Sequence, residues 1–154
     1  MPLAPTRFKS KTVATWAAFL GGAVGLHRFY LHGLRDVWGW LLPLPTALGL
    51  WGVHRVSAYG QDDQLAWLLV PVLGFTLAGT MLQAIVYGLT PDERWHACHN
   101  PGLAPQQTPA SGWAVVIGIA LSLMVGATVL MATIAFSGQR YFEYQVEEAR
   151  KISQ

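Results

Sequence analysis

Two uncharged apolar runs constrain this chain more than anything else in it. Leu65 to Thr90 spans 26 residues without a charge, and Trp113 to Phe136 spans 24. The hydrocarbon core of a bilayer is about 30 Å thick and takes about 20 apolar helical residues to cross. Both runs exceed that length and predict membrane-spanning helices with some tilt. Only 12% of the residues are charged, about half the share that coats a soluble domain. A net charge of +2, with no cluster of Lys and Arg interleaved with aromatics, argues against nucleic acid as a partner.

The first half holds two shorter apolar runs. Val13 to Leu26 lies between Lys11 and His27, and Val37 to Val53 lies between Asp36 and His54. At a rise of 1.5 Å per residue they reach about 21 and 26 Å. Snorkelling of Lys11 and Arg28, with the rings of Phe29 and Tyr30, extends them toward the membrane surface. Arg7, Lys9 and Lys11 ahead of Val13–Leu26 also resemble the basic and apolar regions of a signal peptide. The chain continues straight into another apolar segment, which favours a retained helix. The expected fold is therefore all-α and integral to the membrane, with four transmembrane helices. The first two form a tight hairpin over 9–60. A second pair covers 61–136, with a polar loop at 90–112, and an amphipathic tail follows over 137–154. In that tail Phe142, Val146 and Ala149 share a face, and Glu147 precedes Lys151 by one turn.

Trp38, Trp51, Trp67, Trp95 and Trp113 fall near the predicted span ends, as rings at the headgroup level would. With four spans, the N-terminal segment, second loop and tail share one side and carry seven Lys and Arg, against three opposite. That asymmetry places both termini in the cytoplasm, and the expected location is a bacterial inner membrane.

Helices in lipid associate by close packing, so small residues four apart mark their contact faces. These are Ala17, Gly21 and Gly25 in the first run, Gly74 and Ala78 in the third, and Ala114, Gly118, Ser122 and Gly126 in the fourth. Such faces serve a neighbouring helix, a protein partner or a second copy of the chain. Pro43 and Pro45 remove backbone donors and predict a kink or break over Leu42–Thr46. A broken helix can line a transport path, although no charge lies inside the runs to accompany it.

Chemistry-bearing residues are few. His96, Cys98 and His99 have metal-capable side chains, but their tight spacing matches no standard zinc module. No phosphate-binding glycine loop, nucleophile elbow or zinc-protease helix is present. The single cysteine, Cys98, excludes an intrachain disulfide. No enzymatic activity and no cofactor are expected.

From Lys9 to Tyr59 the chain resembles the two-transmembrane (TM-two) domain family. The resemblance is carried by Lys9 and Lys11, then Phe19-Leu20-Gly21-Gly22-Ala23-Val24-Gly25-Leu26-His27-Arg28-Phe29-Tyr30-Leu31-His32-Gly33, then Leu48-Gly49-Leu50-Trp51-Gly52-Val53. His27 stands where many members have Asp, and His54-Arg55 stand where many have an acid near the second helix end. The resemblance implies a bacterial-branch, multi-pass protein of undefined biochemical role, with no established enzymatic activity. The turn residues His27, Arg28, Phe29, Tyr30, Arg35 and Asp36 are the candidate interface with membrane lipid or a protein partner. The alternative reading is a small transporter or channel-like subunit using the Pro-broken second run.

Overall fold

A computed structural model describes residues 8–102 and 110–153. Arg7 and the stretch 103–109 of the predicted polar loop lie outside them. The described residues form helices and connections, without strands. In chain order these are α1 (Lys11–Gly21), a single 3-10 turn (Gly22–Val24), α2 (Leu26–His32), α3 (Val37–Leu41), α4 (Pro43–Tyr59), α5 (Gln64–Leu89), α6 (Asp92–His99) and α7 (Trp113–Ile152).

Two helices, α5 and α7, are long and apolar enough to cross a membrane. The expectation of four is overturned in the first half, and the reason is local. Gly25 adopts φ +80°, the left-handed conformation that reverses the chain. As a result α1 has only 11 residues, and α2 turns back along it. Lys11 at the start of α1 reaches the Thr90 carbonyl at 2.9 Å. Gly22 at its far end lies against Thr80, ten residues back along α5. The α1–α2 hairpin thus reaches only about 15 Å along its neighbour. Leu31 at the end of α2 is back beside Lys9, whose Nζ donates to its carbonyl.

The second predicted span is divided at Leu42. Its pieces have 5 and 17 residues, short of a bilayer crossing. The expected proline break is real but confined, because Leu42 keeps helical angles (φ −62°, ψ −36°). The Thr46 hydroxyl bridges it, donating to the Ala23 carbonyl at 2.7 Å and to Leu42 at 3.1 Å. The predicted hairpin between the first two runs is also replaced. Helix α5 lies at the centre and packs against α1, α4 and α7.

The α5–α7 contact is an antiparallel seam with a seven-residue step. Gly74 faces Thr133, Met81 faces Gly126 and Gly88 faces Ile119. Seven residues return an α-helix to within about 20° of the same face, so one stripe of each helix stays in contact. A Cβ at Gly74 would overlap Thr133, and one at Gly126 would lie 2.8 Å from the Met81 Cβ. Gly118 meets Thr15 and Trp16 of α1 instead. Ser122 is buried between them. The face of α7 from Gly118 to Gly126 is thus packed within the chain. Ala17 and Ala114 lie off these contacts. The buried face of α1 is Ala14, Thr15, Ala18 and Gly21, and Ala114 contributes only its carbonyl, which accepts from Trp16 Nε1 at 3.0 Å. Ala78 borders an apolar cavity between α5 and α7.

The predicted tail is no separate element. It continues α7, a 40-residue helix about 60 Å long. Phe142, Val146 and Ala149 are exposed on it. Lys151 pairs with Glu148 at 3.8 Å rather than with Glu147. Arg140, buried to 7% exposure, closes the bundle where the tail departs. It donates to Gln61 Oε1 at 2.9 Å and lies 2.7 Å from Glu143. Lys9 and Lys11 therefore sit at one end of the bundle, beside α6, and Arg140 to Lys151 project from the other. The prediction that both termini share a side rested on four crossings, whereas two helices are long and apolar enough to cross.

Candidate interface turns and their neighbouring cavity

The predicted turn is built from a short helix, a glycine and a capping aspartate. α2 ends at Gly33 (φ +84°), whose N–H donates to the Phe29 carbonyl. α3 begins after Asp36, and the Asp36 carbonyl accepts from the Gly39 N–H. The Asp36 side chain is left free for Arg28, which binds it through Nε at 2.6 Å and Nη2 at 3.3 Å. A bidentate guanidinium–carboxylate pair is among the stronger charge-assisted contacts. These hydrogen bonds hold the Asp36 carboxyl below the usual carboxylate range. Trp40 Nε1 closes the turn on the Leu34 carbonyl at 2.8 Å.

The same clasp occurs a second time. Arg55 binds Asp63 through Nε at 2.6 Å and Nη2 at 2.9 Å. Gly60 (φ +88°) ends α4, and Trp67 Nε1 donates to the Gln61 carbonyl at 2.7 Å. Every participant lies 27 residues after its counterpart. The sequences agree accordingly: Gly22, Gly25, His27, Arg28, Gly33, Asp36, Trp40, Leu41 and Leu42 recur as Gly49, Gly52, His54, Arg55, Gly60, Asp63, Trp67, Leu68 and Leu69. Nine identities in 21 positions, at one offset and with one geometry, make this an internal repeat. Its two turns point opposite ways, one at the α6 end and one at the tail end, so the repeat is inverted. A search of the sequence for self-similarity would have found it. The second copy has Val56-Ser57 where the first has Phe29-Tyr30, so the 27-residue offset displays it and the Arg-Phe-Tyr pattern does not.

The predicted interface residues divide. Arg28 and Asp36 form the clasp, and Arg35 is exposed. Phe29 packs on Trp40 at 5.2 Å between ring centroids. Tyr30 faces inward, its hydroxyl accepting from the Ser10 N–H at 2.8 Å, and His27 is buried. The outward surface is instead Leu34, Val37, Trp38, Trp40 and Leu41, all exposed.

His27 lines a cavity of about 280 Å³ between α2, the α3–α4 break and α5, together with Arg28, Trp38, Thr76, Thr80 and Gln83. Among the described residues its Nδ1 has no hydrogen-bond partner. Burial, then the neighbouring Arg28 charge, pull the imidazole down to about 4.

The metal reading of α6 fails on geometry. The helix turns Cys98 away from the face that His96 and His99 share, and among the described residues no three metal-capable side chains converge. His96 stacks on Phe8 and contacts the Asn100 amide. His99 stacks on Trp95 at 4.1 Å, and Cys98 is exposed. α6 is instead a lid over the N-terminal segment. Trp95, expected at a membrane surface, is buried and donates to the Lys9 carbonyl at 2.9 Å. Asn100 accepts from the Lys9 N–H at 2.7 Å. Lys11, only 9% exposed, pairs with Asp92. Partial burial raises the Asp92 carboxyl, but Lys11 and Ser111 outweigh it and hold the group down to about 2.

No family model, curated protein or solved structure matches this chain.

Proposed function

We propose that this chain is a non-enzymatic membrane protein that works through lipid or protein contact at the turn after α2. One observation carries the reading: the Arg28–Asp36 clasp holds an exposed strip of Leu34, Val37, Trp38, Trp40 and Leu41 beside the free charge of Arg35. An apolar, Trp-rich surface with a basic edge suits the boundary between acyl chains and anionic headgroups. The order of a glycine-rich helix, an Arg-Phe-Tyr turn and a Gly/Trp helix supports kinship with the TM-two family. Leu34→Cys in a Cys98→Ser background, carrying a depth-sensitive fluorophore, tests the interface. Brominated lipid should quench it most strongly at headgroup depth, and quenching only by aqueous iodide would sink the reading. A photo-crosslinker at Trp38 in native membranes then separates lipid from a specific protein.

The runner-up, a small transporter or channel-like subunit, gains from the position of the His27 cavity, which Leu42 and Pro45 border at the helix break. A water-filled path would make cysteines at 42 and 45 reactive from both faces in sealed vesicles. Protection of both would remove it.

A further inference from the structure

The inverted repeat serves as an internal control on the role of each residue. Both copies place His before the clasping Arg, and both clasps close with the same bonds. His54 is exposed in the second copy, whereas His27 is 3% exposed in the first. The clasp therefore has no need of a buried histidine. What distinguishes the first copy is the cavity beside it, with a buried, unpartnered His27 Nδ1. A buried polar atom without a partner is disfavoured and calls for explanation.

We infer that the cavity lined by His27, Thr76, Thr80 and Gln83 binds a neutral, hydroxyl-bearing ligand of the glycerol type. Its volume of about 280 Å³ is several times the roughly 30 Å³ share of one water. The one full charge at its edge, Arg28, is already compensated by Asp36, so an anion gains little there. A hydroxyl both donates and accepts, so it can satisfy His27 Nδ1 in either tautomer. The surrounding Trp38 and Phe75 accommodate the carbon skeleton. The hydroxyl can belong to the headgroup of a diacylglycerol-like lipid or to a free polyol. The site shares only Trp38 with the interface strip, whose other members do not line the cavity, so either proposal can fail alone.

Alkylation of Gly79→Cys, a lining position where an added side chain meets nothing within 4 Å, in the full-length Cys98→Ser protein, in detergent, reads occupancy. Dioctanoylglycerol should slow labelling at least tenfold. His27→Phe should abolish the protection, and His54→Phe, its counterpart in the repeat, should preserve it. Equal protection by free glycerol assigns the ligand to a free polyol and supports the site. Equal protection by 1,2-dioctanoylpropanediol, which lacks the hydroxyl, or by dioctanoyl phosphatidic acid overturns the hydroxyl specificity. No protection by dioctanoylglycerol or glycerol overturns the site and leaves water as its occupant. If His27→Phe fails to fold, imidazole ¹⁵N shifts of the Gly79-containing protein decide. Ligand must move His27 and leave His54 in place, and an unmoved His27 overturns the proposal.

Discussion

Single residues carry two separable stabilities. His27 titrates at about 4 in the fold against 6.5 when free. As pH falls below about 6.5 the unfolded chain binds a proton that the native one refuses, so stability is full above that pH and declines toward 4. The slope reaches about 1.4 kcal/mol per pH unit. The groups facing His27 are Arg28, Asp36, His32 and the Tyr87 ring; Asp36 opposes the shift, and the two cations reinforce it. Thermal unfolding in detergent should show this decline, and His27→Gln should flatten it. Asp92 acts in a lower window, where stability is lost only as pH falls from 3.8 toward about 2. Gly25 is a second sensitive point. It combines φ +80° with a close approach of the Gly39 carbonyl, whose usual helical donor is absent because residue 43 is proline. Gly25→Ala should cost about 1–3 kcal/mol from backbone conformation alone, with added cost from the contact, read as a drop in unfolding temperature.

At the level of elements, the α5–α7 seam and the two clasps make different demands. Gly126 touches Met81, whereas Gly138 on the same helix meets nothing within 4 Å. Gly126→Leu should destabilise by about 1–3 kcal/mol through overpacking. Gly138→Ala should stabilise by about 0.5–1 kcal/mol through helix propensity. Denaturation of the two variants in one detergent distinguishes seam packing from general glycine effects. The clasps predict equivalence. Arg28→Ala and Arg55→Ala should lower the unfolding temperature by similar amounts, since each removes the same two hydrogen bonds. A large effect of one and none of the other would mean that the repeat is formal only. The α7 stripe of Gly118, Ser122 and Gly126 was legible in the sequence because small residues at helical spacing have few uses in lipid. Its partner was not legible, because periodicity gives a face and not the helix that meets it.

For the whole molecule, the ends of the bundle define the topology. Phe8 and Arg35 lie at the α6 end, and Gln61 lies at the opposite end, bonded to Arg140. On the proposed membrane reading, in which α5 crosses between them, cysteines at 8 and 35 should react with an impermeant maleimide from one face of a sealed vesicle, and a cysteine at 61 from the other. Labelling of 8 and 61 from the same face would restore four crossings. The first run misled because length and charge suited a short span. The element that shortens it is one glycine conformation, which composition does not display.

The sequence by itself determined the long apolar helices, the short Arg28-to-Asp36 spacing of the turn and the small faces of α7. Each of these depends on local chemistry: an uncharged length, an Arg and an Asp within reach, or the absence of side chains at one spacing. Only the tertiary structure decided that the first two runs form a half-depth hairpin and a divided helix. It also moved Tyr30, His27 and Trp95 inward and gave the Arg–Asp clasp an inverted twin. Those outcomes depend on which helix α5 meets and where Gly25 turns the chain. Long-range packing selects among conformations that local sequence leaves close in energy.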